Sequence, residues 1–341
     1  MTFLTRLREG RSRHGLRRYV GRFARRQVDR AFYRLDRKTL VKRFRDLGLR
    51  GGATVCVHAA LSRLGYIDGH ADAVIDALLE AVGPDGTVMM PTFPTRGAAV
   101  DYVRSGQVFD VRSTPSRVGF LTEQFRRRPG VLRSLHPTNP VAAFGPRASA
   151  LLLDHERSLT PFGPETPYAR LAALDEGYVL MLDTHIHSLL HYVQDRVGLP
   201  KLFLPGEYDA PVVGQDGVAR TVRTRLMRPR VSYMIAVPSP REGVPDWAIL
   251  HDFALVYPPS RDKKIRRAGY VFDGYAKIWQ RRDELERAGC LRQERVGRGY
   301  VGLLHARKFV EYLEPEFRQL IDRFNHCYDP EAIAARRLPF V

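Results

Sequence analysis

Cysteine and tryptophan are scarce in this chain of 341 residues, with three of the first and two of the second. Cys56, Cys290 and Cys327 are too widely spaced for a disulfide framework or a zinc knuckle, which points to a reducing compartment. Long apolar runs are missing as well. The longest are short, such as Tyr178 to Leu182, far below the ~20 residues of a membrane-spanning helix. Arg17-Arg18 is followed by no apolar stretch, so twin-arginine export is not expected. There is no Gly-rich loop ending in Lys-Ser/Thr, no Gly-x-Gly-x-x-Gly after a strand and no Gly-x-Ser-x-Gly. These absences argue against the common nucleotide-binding folds and the serine hydrolases. What is present, 44% hydrophobic and 27% charged residues, suffices for a large core. The expectation is a cytoplasmic globular protein of two domains or one elaborated domain.

The net charge of +18 is unevenly placed. Residues 1–50 hold 17 Lys and Arg against the four acids Glu9, Asp29, Asp36 and Asp46, a surplus of 13, and the remaining chain carries a surplus of only 5. Within the basic segment Leu16, Val20, Phe23, Val28, Phe32 and Leu35 recur at helical spacing, so residues 1–38 read as a basic amphipathic helical extension. A docking or dimerisation helix and attachment to an anionic membrane surface both suit it, the latter placing the protein at the inner membrane periphery. Specific nucleic-acid recognition does not, because no helix-turn-helix or ribonucleoprotein motif accompanies the charge.

Beyond this extension the pattern is α/β. Strands are expected at Ala53 to Val57, Thr87 to Met90, Val141 to Phe144 and Tyr178 to Leu182. Helices are expected at Thr39 to Leu47, Asp72 to Val82, Val118 to Arg127 and Ser188 to Val197, giving a layered sheet flanked by helices. Val212 to Thr224, interrupted by Gln215-Asp-Gly217, reads as a β-hairpin inside an insertion of about residues 206–270. That insertion also holds a Pro-rich loop, Pro238 to Asp246, and a basic one, Arg261 to Arg267. Helices return at Ala276 to Ala288 and Ala306 to Leu313, and 321–341 reads as a tail after a domain spanning 39–320.

Polar residues cluster just after the expected strands, where ligands of open α/β sheets gather. His58 opens Ala59-Ala-Leu-Ser-Arg-Leu-Gly65, a turn whose free backbone N–H groups suit a phosphate. Thr114-Pro-Ser-Arg-Val-Gly119 precedes a helix with Glu123 in its first turns, and Arg133-Ser-Leu-His-Pro137 precedes the Val141 strand. His185, His187 and His191 lie close together, but Ser188 stands where a zinc-peptidase motif has Glu, so no metal site is expected. Taken singly, each histidine suits a structural role as well as a catalytic one.

Taken in order, these segments resemble the aminoglycoside 3-N-acetyltransferase family. The matching stretches are Val57 to Gly65, Asp76 to Gly83, Asp85 to Phe93, Thr114 to Glu123, Arg133 to Thr138, Pro161 to Pro167 and Ser188 to His191. They cover about residues 39–205, and Gly299 to Gly302 with Ala306 to Phe309 resembles the family's last segment. The resemblance implies acyl transfer from acetyl-coenzyme A, or another acyl-coenzyme A, to an amine, without a metal. It implies that His58, Ala59, Ala60, Leu61, Ser62, Thr114, Ser116 and Arg117 line the coenzyme A channel. It implies His191 as the base, with Ser188 and Gln194 beside it and Glu123 binding or orienting the amine. His136, Glu165 and Asp183 are implied as acceptor-binding positions. A small-molecule amine is then the partner, and a homodimer is compatible with the family.

Departures from the family pattern bear on the substrate. The family's His-x-x-Glu reads His191-Tyr-Val-Gln194 here, and Gln supplies no negative charge to an imidazolium or an ammonium group. Asp195 and Asp183 are the nearby carboxylates that would compensate. Asp183 stands where Gly is common, and Thr138-Asn-Pro140 replaces Thr-His-Ser. Aminoglycosides are polycations that need acidic pockets, and this chain is basic. The reading is therefore a biosynthetic N-acyltransferase acting on a less cationic or anionic amine of a sugar, aminocyclitol or natural product. A resistance enzyme, or an impaired family member that binds a partner or membrane, are the alternatives.

Overall fold

The computed structural model describes residues 27–184, 187–199, 202–228 and 282–327, together with short strands between 232 and 274. The first half alternates strand and helix. β1 (Arg34–Leu35) leads into α1 (Arg37–Asp46), whose N-cap Asp36 accepts the Thr39 N–H at 2.8 Å. The β-branched run Thr54-Val-Cys-Val forms most of β2 (Thr54–Ala59), and β3 (Tyr66–Ile67) follows a short 3₁₀ turn at Leu61–Arg63. Seven buried residues make one face of α2 (His70–Val82), which leads to β4 (Thr87–Pro91). Next come α3 (Ala99–Arg104), β5 (Phe109–Asp110), α4 (Phe120–Arg126), β6 (Leu132–Arg133), β7 (Val141–Phe144) and α5 (Ala148–Leu152). α6 (Pro167–Ala172) begins with proline at its first position under the Thr166 cap, and β8 (Gly177–Leu182) and α7 (Ser188–Arg196) complete this half.

Seven strands form the central sheet, in the order β15-β16-β8-β2-β4-β7-β6, where β15 is Leu291–Val296 and β16 is Gly299–His305. β8, β2 and β4 are mutually parallel, and the flanking strands run antiparallel. From β2 the chain steps to β4 on one side and later returns to β8 on the other. The carboxyl end of β2 is therefore a topological switch point, where such sheets open a crevice. Apolar clusters fill both faces of the sheet, one around Phe162, Tyr168 and Phe309, the other around Phe44, Leu78 and Phe125.

The expected hairpin forms as β9 (Tyr208–Val213) and β10 (Ala219–Thr224), with β9 also pairing in parallel with β5. Its insertion contributes a four-stranded antiparallel sheet that the sequence did not signal: β11 (Ser232–Ala236), β12 (Trp247–His251), β13 (Ala254–Val256) and β14 (Asp273–Gly274). The Pro238 to Asp246 and Arg261 to Arg267 loops lie outside the described residues, as do residues 1–26 of the basic extension and 328–341 of the tail. Residues 282–287 are helical, while residues 276–281 of the expected Ala276 to Ala288 helix lie outside the described residues. The last helix runs Ala306–Cys327 and crosses the tail boundary expected at 321. No described helix is long and apolar enough to cross a membrane.

The boundary expected at residue 38 also moves. Leu35 is buried in the core, β1 pairs with β3, and Asp29 accepts from Arg298 at 2.8 Å. Val28 and Phe32, read as apolar partners of Leu35, are exposed instead. Deleting residues 1–36 should consequently lower the melting midpoint, because it removes a buried leucine, a two-strand ladder and the α1 cap. Together these are worth roughly 3–5 kcal/mol. An unchanged midpoint in a thermal melt would return residues 29–36 to the appendage.

Candidate active site

A cavity of about 610 Å³ opens at the switch point. His58 and Ala59 at the end of β2, Pro91 and Phe93 after β4, and Thr184, His187, Ser188 and His191 after β8 all line it. The turn before α4 and the helix's first residues add Val118, Gly119, Phe120, Leu121 and Thr122, with Phe120 66% exposed. The walls are mostly apolar, and their ionisable groups are histidines. No carboxylate lines the cavity among the described residues.

His191 sits on the first turns of α7, one turn after Ser188. Its Nδ1 lies 2.8 Å from Oε1 of Gln194, another turn on, and its ring packs on Phe162 with centroids 5.0 Å apart. An amide oxygen only accepts, so Nδ1 carries the proton and Nε2 keeps its lone pair, the tautomer a base requires. Gln194 is buried, and its amide nitrogen has no hydrogen-bond partner among the described residues. A neutral side chain here fixes the ring without adding charge.

His58 faces the same space. The Ser188 N–H donates to its Nε2 at 3.4 Å, and the Cys56 Sγ lies 3.6 Å from that nitrogen. Burial, with a smaller contribution from His191, lowers its pKa to about 3, so it is neutral at physiological pH. His187 is buried between the rings of His58 and Phe309. In the sequence His187 reads only as a metal candidate. His185 lies outside the described residues.

Of the expected channel residues, His58, Ala59, Leu61 and Ser62 line the cavity. Ala60 does not, its N–H being bonded to the Leu182 carbonyl. Thr114, Ser116 and Arg117 shape the wall from behind. Thr114 Oγ1 accepts the Asp110 N–H, Ser116 Oγ pairs with Thr122 Oγ1 at 2.7 Å, and the Arg117 N–H donates to the Phe93 carbonyl. Arg133 clamps this segment by donating to the Thr114 carbonyl at 2.6 Å and the Thr92 carbonyl at 2.5 Å, over the face of Phe109. The residues this arrangement presents, Val118 to Thr122, were missed. Val118, Phe120 and Leu121 read as core residues in a sequence, and only their place on the cavity wall marks them.

Four expected acceptor contacts are placed elsewhere. Glu123 accepts from Arg126 Nε and Nη2, at 2.9 and 2.6 Å, and from the Ser116 N–H at 2.7 Å, and it does not line the cavity. Burial works to raise its pKa, but these donors outweigh it and hold the carboxyl below its ordinary value. His136 is fully buried, its Nδ1 receiving the Thr138 and Asn139 N–H groups while its ring lies 4.7 Å from that of His155. It fastens the turn between β6 and β7 rather than a substrate. Asp183 accepts the Tyr300 N–H at 3.1 Å and binds β8 to β16. Its φ of 51° explains why glycine suits this position, and the side-chain bond offsets part of the strain. Glu165 is exposed and does not line the cavity. Asp195, the other carboxylate considered as a substitute for the missing Glu, accepts the Thr160 hydroxyl at 2.5 Å.

The structure is thus an α/β sheet whose switch point opens onto a largely apolar cavity lined by histidines. The chain belongs to the aminoglycoside 3-N-acetyltransferase family, whose model matches residues 56–318. It is 33% identical over 242 residues to aminoglycoside N(3)-acetyltransferase VIII of Streptomyces fradiae, covering 65% of this chain and 82% of that one. It is 30% identical over 280 residues to aminoglycoside N(3)-acetyltransferase VII of Streptomyces paromomycinus, covering 77% and 93%. In fold it is similar to the solved structure of AAC-IIIb in a binary complex with CoASH. That likeness has a TM-score of 0.61 at 24% identity, over 84% of this chain and 97% of that one.

Proposed function

We propose that this chain transfers an acyl group from acetyl-coenzyme A to an amine less cationic than an aminoglycoside, in a biosynthetic rather than a resistance role. The carrying observation is the charge of the site. No carboxylate faces the cavity among the described residues, and the residue bonded to the base is Gln194. A polycationic acceptor gains nothing from such walls, whereas a weakly basic, neutral or anionic amine loses nothing.

The residues present suit coenzyme A. The apolar wall of Leu61, Val118, Phe120 and Leu121 matches the flexible arm of that molecule, and His191 stands on the cavity wall. Coenzyme A supplies an already activated thioester. His191 Nε2 would take the proton of the attacking amine as the C–N bond forms and the thioester C–S bond breaks, and return it to the departing coenzyme A sulfur, while Gln194 keeps the ring in that tautomer and Phe162 limits its rotation. An ordinary ammonium has a pKa of ~10, and a base without a carboxylate behind it is poorly matched to it, which again favours an amine of lower basicity.

Gln194→Glu tests this reading. In the serine-protease template, neutralising the carboxylate behind the histidine costs ~10⁴-fold in rate, so adding one here has leverage. Turnover of polycationic amines by the variant, followed by product mass with acetyl-coenzyme A, should rise at least tenfold relative to wild type. If the wild type already prefers aminoglycosides over the rest of a broad amine panel, the resistance reading stands, as the names of the relatives suggest. Failure of both proteins to bind coenzyme A or acylate any amine would instead mark an impaired family member.

A further inference from the structure

A second cleft, of about 300 Å³, lies at the opposite end of the central sheet from His191, where β8 begins rather than ends. About 20 Å of strand separates the two ends. Arg50 from the turn after α1, Arg292 from β15 and Lys308 from the first turn of the last helix converge on it. Among the described residues none of these three side chains forms a salt bridge or hydrogen bond. Several other arginines are paired, as Arg37 is with Glu80, Arg128 with Asp76 and Arg298 with Asp29, and what sets these three cations apart is that they line one cleft. The one carboxylate in the lining, Glu176, accepts the Tyr178 hydroxyl at 2.8 Å.

Two further features describe the walls of the cleft. Gly48 has a φ of +107°, and a Cβ there would lie 2.7 Å from Arg292 Nη1. The left-handed backbone that caps α1 favours glycine, and the guanidinium tip of Arg292 lies across it. Beneath the cations, the His305 ring packs on Tyr178 with centroids 5.3 Å apart, and its Nδ1 is buried without a hydrogen-bond partner among the described residues. Burial first, and then Lys308, push its pKa down, so the ring is a neutral hydrogen-bonding group and not a fourth cation.

We propose that this cleft binds a small phosphate-bearing anion, at a site separate from the acyl-transfer cavity. Three unpaired cations around a pocket of this size repel one another, and a dianion relieves that repulsion. The two guanidinium forks match the several oxygens of a phosphate better than the two of a carboxylate. The ligand is a phosphate monoester, a pyrophosphate or free inorganic phosphate, since all present the same charged oxygens.

Calorimetric titration of the full chain at low ionic strength, with inorganic phosphate and separately with inorganic pyrophosphate, tests the site. Each titration is run with and without excess coenzyme A. One saturable site is expected, with an affinity that coenzyme A leaves unchanged. The tighter of the two probes shows whether one phosphate or two are recognised. Arg292→Gln/Lys308→Gln should weaken that site at least tenfold while retaining a cooperative melt, because both side chains are exposed. Absence of saturable heat overturns the proposal. So does a double variant with wild-type affinity, which would assign the binding to other basic surface, or full competition by coenzyme A, which would assign it to the acyl-transfer cavity.

Discussion

Acyl transfer by His191→Ala is expected to fall at least ~10²-fold in kcat/KM, the lower end for loss of a general base. The expectation rests on geometry. His191 alone among the cavity histidines has Nδ1 held by a side-chain oxygen, which leaves Nε2 as the acceptor. His58 makes a poorer base, since burial lowers its pKa to about 3 and its Nε2 already receives the Ser188 N–H. Coenzyme A affinity should change little, because most of the cavity wall, including Val57 to Ala59, Leu61, Ser62 and Val118 to Thr122, lies outside α7. The loss should therefore appear in kcat. Steady-state kinetics with the native amine, or with the best amine of a panel, decides the matter. Full kcat/KM in the variant would remove His191 from the base role and pass it to His58 or His187.

Much of the fold was legible because burial and periodicity coincide there. Val141 to Phe144 is a strand with the bounds expected, and Thr54 to Val57 is a buried β-branched run in the middle of the sheet. The last helix was not bounded correctly. Pro315 reads as a stop after Leu313, yet Phe309, Val310, Leu313 and Phe317 are all buried and carry the helix past it. The site was legible only in part. His136 and His191 look alike in sequence, each following a polar segment near a strand. What separates them is three-dimensional: His136 is enclosed against His155, and His191 opens onto a cavity. Glu123 shows the same limit, because the Arg126 that occupies it lies only three residues on and sequence gives no sign of which way either points.

The enclosed histidines make acid stability the other large expected effect. His58, half-buried on the cavity wall, and the fully buried His136 have pKa values lowered to about 3, and the fully buried His155 is held well below its ordinary 6.5, in each case chiefly by desolvation. In the unfolded chain all three titrate near 6.5. Below that pH the unfolded state binds protons that the folded state refuses, so stability falls as pH falls and is fully present only above about 6.5. The fall continues until the folded-state values are reached. Between pH 6.5 and 5 each histidine removes about 2 kcal/mol, at 1.36 kcal/mol per pH unit. Three together remove ~6 kcal/mol, against a total stability of ~5–15 kcal/mol for an ordinary domain. Cooperative unfolding should thus set in near pH 5, well above the range of ordinary carboxylates. Guanidinium melts at pH 7.5, 6 and 5 measure the slope. The double variant His136→Gln/His155→Gln removes two of the three groups and should cut the fall by more than half. Should that variant fail to fold, the ring resonances of wild-type His136 and His155 supply the check. They should not titrate above about pH 4 in the native protein, and midpoints near 6.5 would show that these rings take up protons without unfolding the chain.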